Sequence, residues 1–157
     1  MRGRLNYVIL IFFLIIEIAC NNNSSDNKRN YYKSSAINKI DKLLIDNMNN
    51  AYNIDDYAKA LEYLKELINI DSTNGEYYYK IGYCESGLFN TEESIQAFQK
   101  AIDYNYRVVD ATFSIGVNYT LVNDSMAKLY FEKCLIEDPS YQRAKIQLLV
   151  IEHHKKN

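Results

Sequence analysis

Apolar residues recur every three or four positions along most of the chain, which is the spacing of one face of an α-helix. The first such stripe consists of Ile37, Ile40, Leu44, Met48 and Ala51. It predicts a helix over residues 36–52. A second stripe consists of Ala60, Leu64, Leu67 and Ile68, and either Asp55 or Asp56 can cap its start. The polar residues 71–75 then predict a turn.

The stripes repeat when the sequence is shifted against itself by 34 residues. Leu44 then aligns with Tyr78 and Thr112, and Met48 aligns with Gly82 and Gly116. The last copy lacks one residue in the turn near Asn123, so its second helix aligns one residue early. The period predicts three helix-turn-helix units, because repeats of this length are stacked supersecondary units. They cover about residues 41–74, 75–108 and 109–141, and a capping helix follows over 140–154.

Two copies carry residue patterns of a known family. The third copy has Thr112, Ile115, Gly116, Tyr119, Ala127, Phe131 and Pro139, and the second has Tyr78, Ile81, Gly82, Ser94, Phe98 and Ala101. At these spacings the chain resembles the tetratricopeptide repeat family. The resemblance implies an all-α fold, an α-solenoid of about three tetratricopeptide-type helix-turn-helix repeats with a C-terminal capping helix. We expect this domain to occupy residues 36–157.

Residue size at the expected crossings supports the same packing. Gly82 and Gly116 remove a side chain where the two helices of a pair cross, and Phe98 and Phe131 fill the space towards the next pair. In the capping helix the inward residues are predicted to be Tyr141, Ala144, Leu148 and Ile151. Arg143, Lys145 and Glu152 are predicted to lie in water.

Turn residues predict where the helices end. Gly87 suits a left-handed helix end, and Asn90 with Glu93 suits a cap at the start of the next helix. Asp138 before Pro139 predicts another helix start.

The amino terminus has the pattern of an export signal. Arg2 and Arg4 precede the apolar run 7–16, which is about half the length of a membrane-spanning helix, and Ala19 is the small residue that processing favours. These features predict a signal peptide over residues 1–19. The alternative is a short buried helix followed by an ordinary cysteine.

Residues 18–20 resemble the end of the bacterial lipoprotein signal, although Glu17 stands where that signal has an aliphatic residue. The resemblance implies that Cys20 is acylated and begins the mature chain. It also implies that Asn21 directs the protein to the outer membrane, facing the periplasm. Residues 21–28 contain no apolar side chain, so we expect a flexible tether over residues 20–35.

Composition and charge narrow the functional classes. The net charge of −2 does not favour binding to a nucleic-acid backbone. The sequence shows no phosphate-binding loop and no nucleophile beside a base, so we predict no enzyme, no catalytic residues and no cofactor.

His153 and His154 are adjacent and diverge on a helix, so a solvated helix end is favoured over a metal site. Cys84 and Cys134 are interpreted as buried thiols, with a disulfide as the less favoured alternative.

The remaining candidate is a surface for a partner. Ile45, Asn49, Tyr79, Tyr83, Phe113 and Val117 lie on the face of each first helix that is expected to line the concave side of the stack. The alternatives are that the capping helix or the tether covers this strip, or that Tyr79 and Tyr83 are merely exposed tyrosines in a tyrosine-rich protein. The resemblance implies that carboxyl-terminal peptides need basic and asparagine side chains here, and Ile45, Asp46, Asp110 and Ser114 do not provide them.

Two hypotheses follow. The first is a non-catalytic adaptor that binds a protein or peptide through this strip and is attached to the bacterial envelope through the lipid on Cys20. The alternative is a ligand-capture lipoprotein in which Tyr79, Tyr83 and Phe113 stack on a glycan or small molecule.

Overall fold

Helices account for most of the structure, a computed structural model that describes residues 39 and 41–154. They are α1 (residues 41–53), α2 (Tyr57–Ile70), α3 (Gly75–Gly87), α4 (Thr91–Asp103), α5 (Val108–Tyr119), α6 (Asp124–Glu137) and α7 (Gln142–His154). No strand occurs within these described residues. The predicted all-α arrangement of three helix pairs and a final helix is confirmed.

Contacts divide the chain into two compact units, Met1–Leu43 and Leu44–Asn157. Of the first unit, the structure describes residues 39 and 41–43. The predicted signal peptide, Cys20 and the predicted tether lie outside the described residues, and the expected domain start at residue 36 stays a prediction. No helix in the described part of the chain has the length and apolar character needed to cross a membrane.

The hydrophobic core of the second unit consists of three clusters, each drawn from three consecutive helices. The first joins α1, α2 and α3 through Met48, Ala51, Ala60, Leu61, Leu64, Leu67 and Cys84. The second joins α3, α4 and α5 through Tyr78, Phe98, Ala101, Ala111 and Ile115. The third joins α5, α6 and α7 through Phe113, Ala127, Phe131, Cys134, Ala144 and Ile151. A helix pair cannot bury its apolar face alone. In each cluster the next helix along the chain, α3, α5 or α7, therefore covers the pair that precedes it.

The predicted close crossings are confirmed at both glycines. A Cβ on Gly82 would lie 2.8 Å from the ring of Phe98, and a Cβ on Gly116 would lie 2.6 Å from the ring of Phe131. Both phenylalanines are almost completely buried. The ring therefore packs directly on the backbone of the opposite helix, in space that only glycine leaves open.

The helix ends differ from the sequence prediction around Gly87. Helix α3 does end at Gly87, but the left-handed residue is Phe89, with φ 63°. Its N–H donates to Ser86 O at 3.1 Å and the next N–H, of Asn90, donates to Glu85 O at 2.9 Å, which is the Schellman arrangement. Asp55 and Asn105 occupy the same position after α1 and α4, with φ 58° and 56°. Phe lacks the short polar side chain that eases this conformation for Asp and Asn.

Two further turn predictions are wrong in their chemistry. Asn90 stands at the start of α4 but makes no side-chain cap there, and its Nδ2 donates to Glu85 Oε2 at 2.8 Å. Asp138 does not start a helix. It accepts from the backbone N–H and the hydroxyl of Ser140, and α7 begins only at Gln142. Asp71 accepts from Thr73 in the same way after α2, and these hydrogen bonds lower the pKa of both carboxyl groups.

Other local predictions are confirmed. Asp56, rather than Asp55, caps α2 and accepts from the N–H of Lys59 at 3.2 Å. Cys84 and Cys134 are free and buried, and burial raises their thiol pKa values to about 12 and about 11. The described part of the predicted first helix, 36–52, is helical and continues to residue 53.

Candidate protein-binding groove

The six residues of the predicted binding strip have different environments. Ile45 is half-buried against the first core cluster, and the side chain of Asn49 accepts from Lys80 Nζ at 2.8 Å. Lys80 also pairs with Glu76, its Nζ 3.1 Å from Oε1. At this end of the strip, the side chains are therefore already engaged in packing and hydrogen bonding within the chain.

Tyr79 is enclosed by aromatic rings and a guanidinium group. Its ring meets those of Phe98 and Tyr106 at centroid distances of 5.3 and 5.9 Å, and the guanidinium carbon of Arg107 lies 5.0 Å from its centroid. Arg107 in turn forms an ion pair with Asp110, its Nη2 atom 3.0 Å from Oδ2. Partial burial raises the pKa of the Tyr79 hydroxyl. This ring is thus mainly a packing element, half-buried rather than free.

Phe113 is only 3% exposed and is covered by the capping helix region. Tyr141 lies against it with a centroid distance of 5.5 Å, and the guanidinium carbon of Arg143 lies 4.3 Å from its centroid. Tyr141 is held there by donating its hydroxyl proton to Asp110 Oδ1 at 2.7 Å. Burial and this hydrogen bond raise the pKa of Tyr141 to about 12. The alternative considered from the sequence, that the capping helix covers the strip, therefore holds at Phe113.

Tyr83 and Val117 remain exposed, by 45% and 39%. They face a pocket of about 270 Å³ whose lining includes Tyr57, Ser86, Phe113 and Arg143. A second pocket, of about 330 Å³, is lined by Phe113, Val117, Arg143, Ile146 and Gln147. Phe113, Val117 and Arg143 line both pockets, so the two adjoin, and we call them together the groove. It runs from Tyr57 and Tyr83 past Val117 to Ile146.

One wall of the groove depends on Gly87. A Cβ at this position would lie 2.3 Å from the ring of Tyr57, so the ring packs directly on the end of α3. The hydroxyl of Tyr57 donates to Asp55 Oδ1 at 2.8 Å, and its ring meets Tyr83 edge-on at 6.0 Å. The hydrogen bond to Asp55 is the main cause that raises the pKa of Tyr57 to about 12. The ring of Tyr57 thus packs against both Gly87 and the ring of Tyr83, and these contacts fix its position in the wall.

A buried polar network fixes the helices beneath the groove. Asn118, 2% exposed, donates through Nδ2 to Ser94 Oγ at 2.8 Å and accepts from Ser86 Oγ at 3.0 Å. Ser94 donates to the backbone oxygen of Gly82 at 2.7 Å. These bonds connect α3, α4 and α5, so the floor of the groove has a defined geometry.

Sequence reasoning missed Tyr57, Asn118 and Arg143. Arg143 was expected in water, and it is exposed, but its guanidinium group also stacks on Phe113 and lines both pockets. Among the lining residues of these two pockets, all in the described part of the chain, it alone carries a charge. The groove therefore combines an apolar and aromatic surface with one positive group.

The groove offers little chemistry beyond binding. Its lining consists of tyrosine and phenylalanine rings, two serines, small or aliphatic residues, a glutamine and Arg143. Within residues 39 and 41–154, no group of three or more His, Cys, Asp or Glu side chains could hold a metal ion. His153 and His154 lie in the last turn of α7. What the groove can do is hold an apolar side chain and pair with an anion.

Comparison with known proteins agrees with this architecture. Residues 75–107, which include α3 and α4, match the tetratricopeptide repeat family. No curated protein sequence matches the chain. Among solved structures, the tetratricopeptide repeat domain of OM64 from Arabidopsis is similar, with a TM-score of 0.65 and 23% identity over 73% of this chain and 95% of that one.

Two further similar structures contain a bound peptide. The first repeat domain of Spaghetti (RPAP3), bound to the HSP90 peptide SRMEEVD, has a TM-score of 0.66 and 16% identity over 74% of this chain and 94% of that one. The type III secretion chaperone SycD of Yersinia enterocolitica, in complex with a peptide of the translocator YopD, has a TM-score of 0.66 and 13% identity. The similarity covers 73% of this chain and 93% of the SycD chain. At these identities the likeness shows the fold.

Proposed function

We propose that this chain, whose fold is that of tetratricopeptide repeat structures, is a non-catalytic adaptor that binds a segment of a partner protein in the groove. It is held at the bacterial envelope by acyl chains on Cys20. The observation that carries the binding proposal is the groove itself, in which Tyr83 and Val117 stay exposed beside the stacked guanidinium group of Arg143. Two structures of this fold, described above, hold peptides.

The groove favours a particular kind of segment. Its exposed apolar and aromatic surface would cover an aliphatic or aromatic side chain of the partner, and Arg143 would pair with a neighbouring carboxylate. The contact with the Phe113 ring restricts the guanidinium group, which reduces the side-chain entropy that pairing would cost. The ligand is therefore a peptide segment with an apolar residue close to an aspartate, a glutamate or a terminal carboxylate.

Glycan capture is the weaker hypothesis. It needs three rings available for stacking, namely Tyr79, Tyr83 and Phe113. Tyr79 is half-buried among other rings and Phe113 is 3% exposed. Only Tyr83 is left with an exposed face, and one ring gives little stacking surface for a sugar.

Crosslinking in intact cells tests the adaptor proposal. A photoreactive amino acid is placed at Val117 in the groove, and the matched control carries it at Glu132, an exposed position on α6. We expect a discrete protein adduct from position 117 that position 132 does not give, and we expect Arg143→Glu to remove most of it. The same adduct from both positions, or none from position 117, would overturn the proposal.

The anchor is tested separately. Metabolic labelling with a fatty acid analogue should mark the wild-type chain and leave the Cys20→Ala variant unmarked. The wild-type chain should then fractionate with the outer membrane. Equal label on the Cys20→Ala variant would refute acylation at this residue without affecting the groove.

A further inference from the structure

Helix α7 has a second apolar face that no part of the described chain covers, and it adjoins the groove because Ile146 belongs to both. Ile146, Leu149 and Val150 are 57%, 66% and 41% exposed. Their spacing of three and four residues places them side by side. Ala144 and Ile151, on the opposite side of the helix, are buried in the third core cluster. Exposed His153, four residues after Leu149, lies in the same stripe. The outer side of the final helix is therefore mainly apolar, whereas the outer face of a terminal helix in a stack is expected to be polar.

Charged residues flank this outer stripe unequally. At 100° per residue, Lys145 and Glu152 project on one side of the stripe, and Arg143 and His154 project on the other. In the described part of the chain neither Lys145 nor Glu152 has an ion-pair partner within 4.0 Å. One flank thus carries an acid and a base seven residues apart, and the other flank carries Arg143 and an imidazole.

We propose that this face of α7 binds the α7 helix of a second copy of the chain, with the two helices antiparallel. In that orientation like flanks meet across the contact, as in antiparallel coiled coils. Lys145 of each copy then faces Glu152 of the other, twice because of the two-fold symmetry. The same register brings Ile146 of one copy next to Leu149 and Val150 of the other, and the two Leu149 side chains meet near the two-fold axis.

Charge disfavours the parallel orientation. It would bring Lys145 of each copy against Arg143 of the other, so that like charges meet. The antiparallel orientation instead leaves Arg143 of each copy opposite His154 of the other, which carries no formal charge at pH 7. An apolar stripe whose one flank complements itself only when reversed matches another α7 helix. Because the contact involves one helix from each copy, it is smaller than a standard stable interface, and the dimer is expected to be weak.

Cysteine crosslinking of the full-length chain in membranes tests the contact. The Leu149→Cys variant should form a disulfide-linked dimer under mild oxidation. The matched control, Glu62→Cys, places an equally exposed cysteine on α2, and should give no dimer above the wild-type background. Cys84 and Cys134 are buried and contribute little to that background.

Charge reversal then tests the orientation. In the Leu149→Cys chain, Glu152→Lys or Lys145→Glu alone should reduce crosslinking about tenfold, because two attractive pairs become repulsive. The double reversal Lys145→Glu/Glu152→Lys should restore it. Absence of a dimer from Leu149→Cys would overturn the interface. Crosslinking that the single reversals leave unchanged would overturn the antiparallel pairing.

Discussion

Replacing Gly82 by alanine tests whether the close helix crossing holds the second pair together. The added Cβ would lie 2.8 Å from two atoms of the Phe98 ring and 2.9 Å from a third. Phe98 is 1% exposed and packs edge-on against Tyr79, so the ring has little room to move. The substitution therefore forces a shift of the ring or of the two helices.

Two opposing terms set the magnitude. Overpacking a dense core costs about 1–3 kcal/mol, and replacing glycine by alanine inside a helix returns about 1 kcal/mol. We therefore expect Gly82→Ala to lower the free energy of unfolding by about 1 kcal/mol. If Phe98 is first shortened to leucine, the clash is relieved, and the same alanine should be neutral or stabilising by up to about 1 kcal/mol.

Urea denaturation followed by circular dichroism measures all four chains of this double-mutant cycle. The expected outcome is a coupling free energy of about 1–2 kcal/mol between positions 82 and 98. Helix propensity alone would make Gly82→Ala stabilising by about 1 kcal/mol in the chain that keeps Phe98. That result would refute the close packing of Phe98 on Gly82.

Three other predictions rest on separate features. Phe89→Gly should raise the free energy of unfolding by about 1 kcal/mol in urea denaturation, because glycine adopts the left-handed conformation without strain, and loss of stability would contradict this. Asn118→Ala should lower it by about 1–3 kcal/mol, because buried polar partners lose their hydrogen bonds, and an unchanged midpoint would contradict the network. Cys84 and Cys134, with thiol pKa values raised to about 12 and about 11, should resist iodoacetamide at pH 8 in the folded chain and react in urea, where the thiolate fraction rises. Rapid alkylation of either thiol in the folded protein, read by mass spectrometry, would show that it is accessible.

The sequence predicted the parts of the fold that depend on helix periodicity alone. Gly82 and Gly116 face Phe98 and Phe131 as expected, because a 34-residue repeat fixes which residues of paired helices meet. The core stripe of α2 was also predicted, because apolar spacing determines the buried face of a helix.

The turns were less predictable, because several local solutions are close in energy. Gly87 is the residue type that favours a left-handed helix end. Its lack of a side chain instead allows the contact with Tyr57, and Phe89 adopts the left-handed conformation. Asp138 could cap a helix or accept from Ser140, and the sequence does not distinguish these bonds.

The groove was predicted only in part for a similar reason. Tyr83 and Val117 were identified because they repeat at the same position of successive helices. Arg143 and Tyr57 reach the groove from the ends of other helices, so their position depends on how α7 and α2 are inclined relative to α3 and α5. The sequence left open whether the capping helix covers Phe113. Tyr141 and Arg143 do cover it, a contact with the region of the capping helix that periodicity does not report.

The groove's role as a peptide-binding site is tested most directly by selecting random peptides on the full-length chain. We predict enrichment of peptides in which an apolar residue lies near an acidic one. Their affinity should fall at least about tenfold for Val117→Asp and for Arg143→Glu, and should not change for Glu132→Gln on α6. Selected peptides that bind all three variants as tightly as the wild-type chain, or a selection that enriches no sequence, would contradict the proposal.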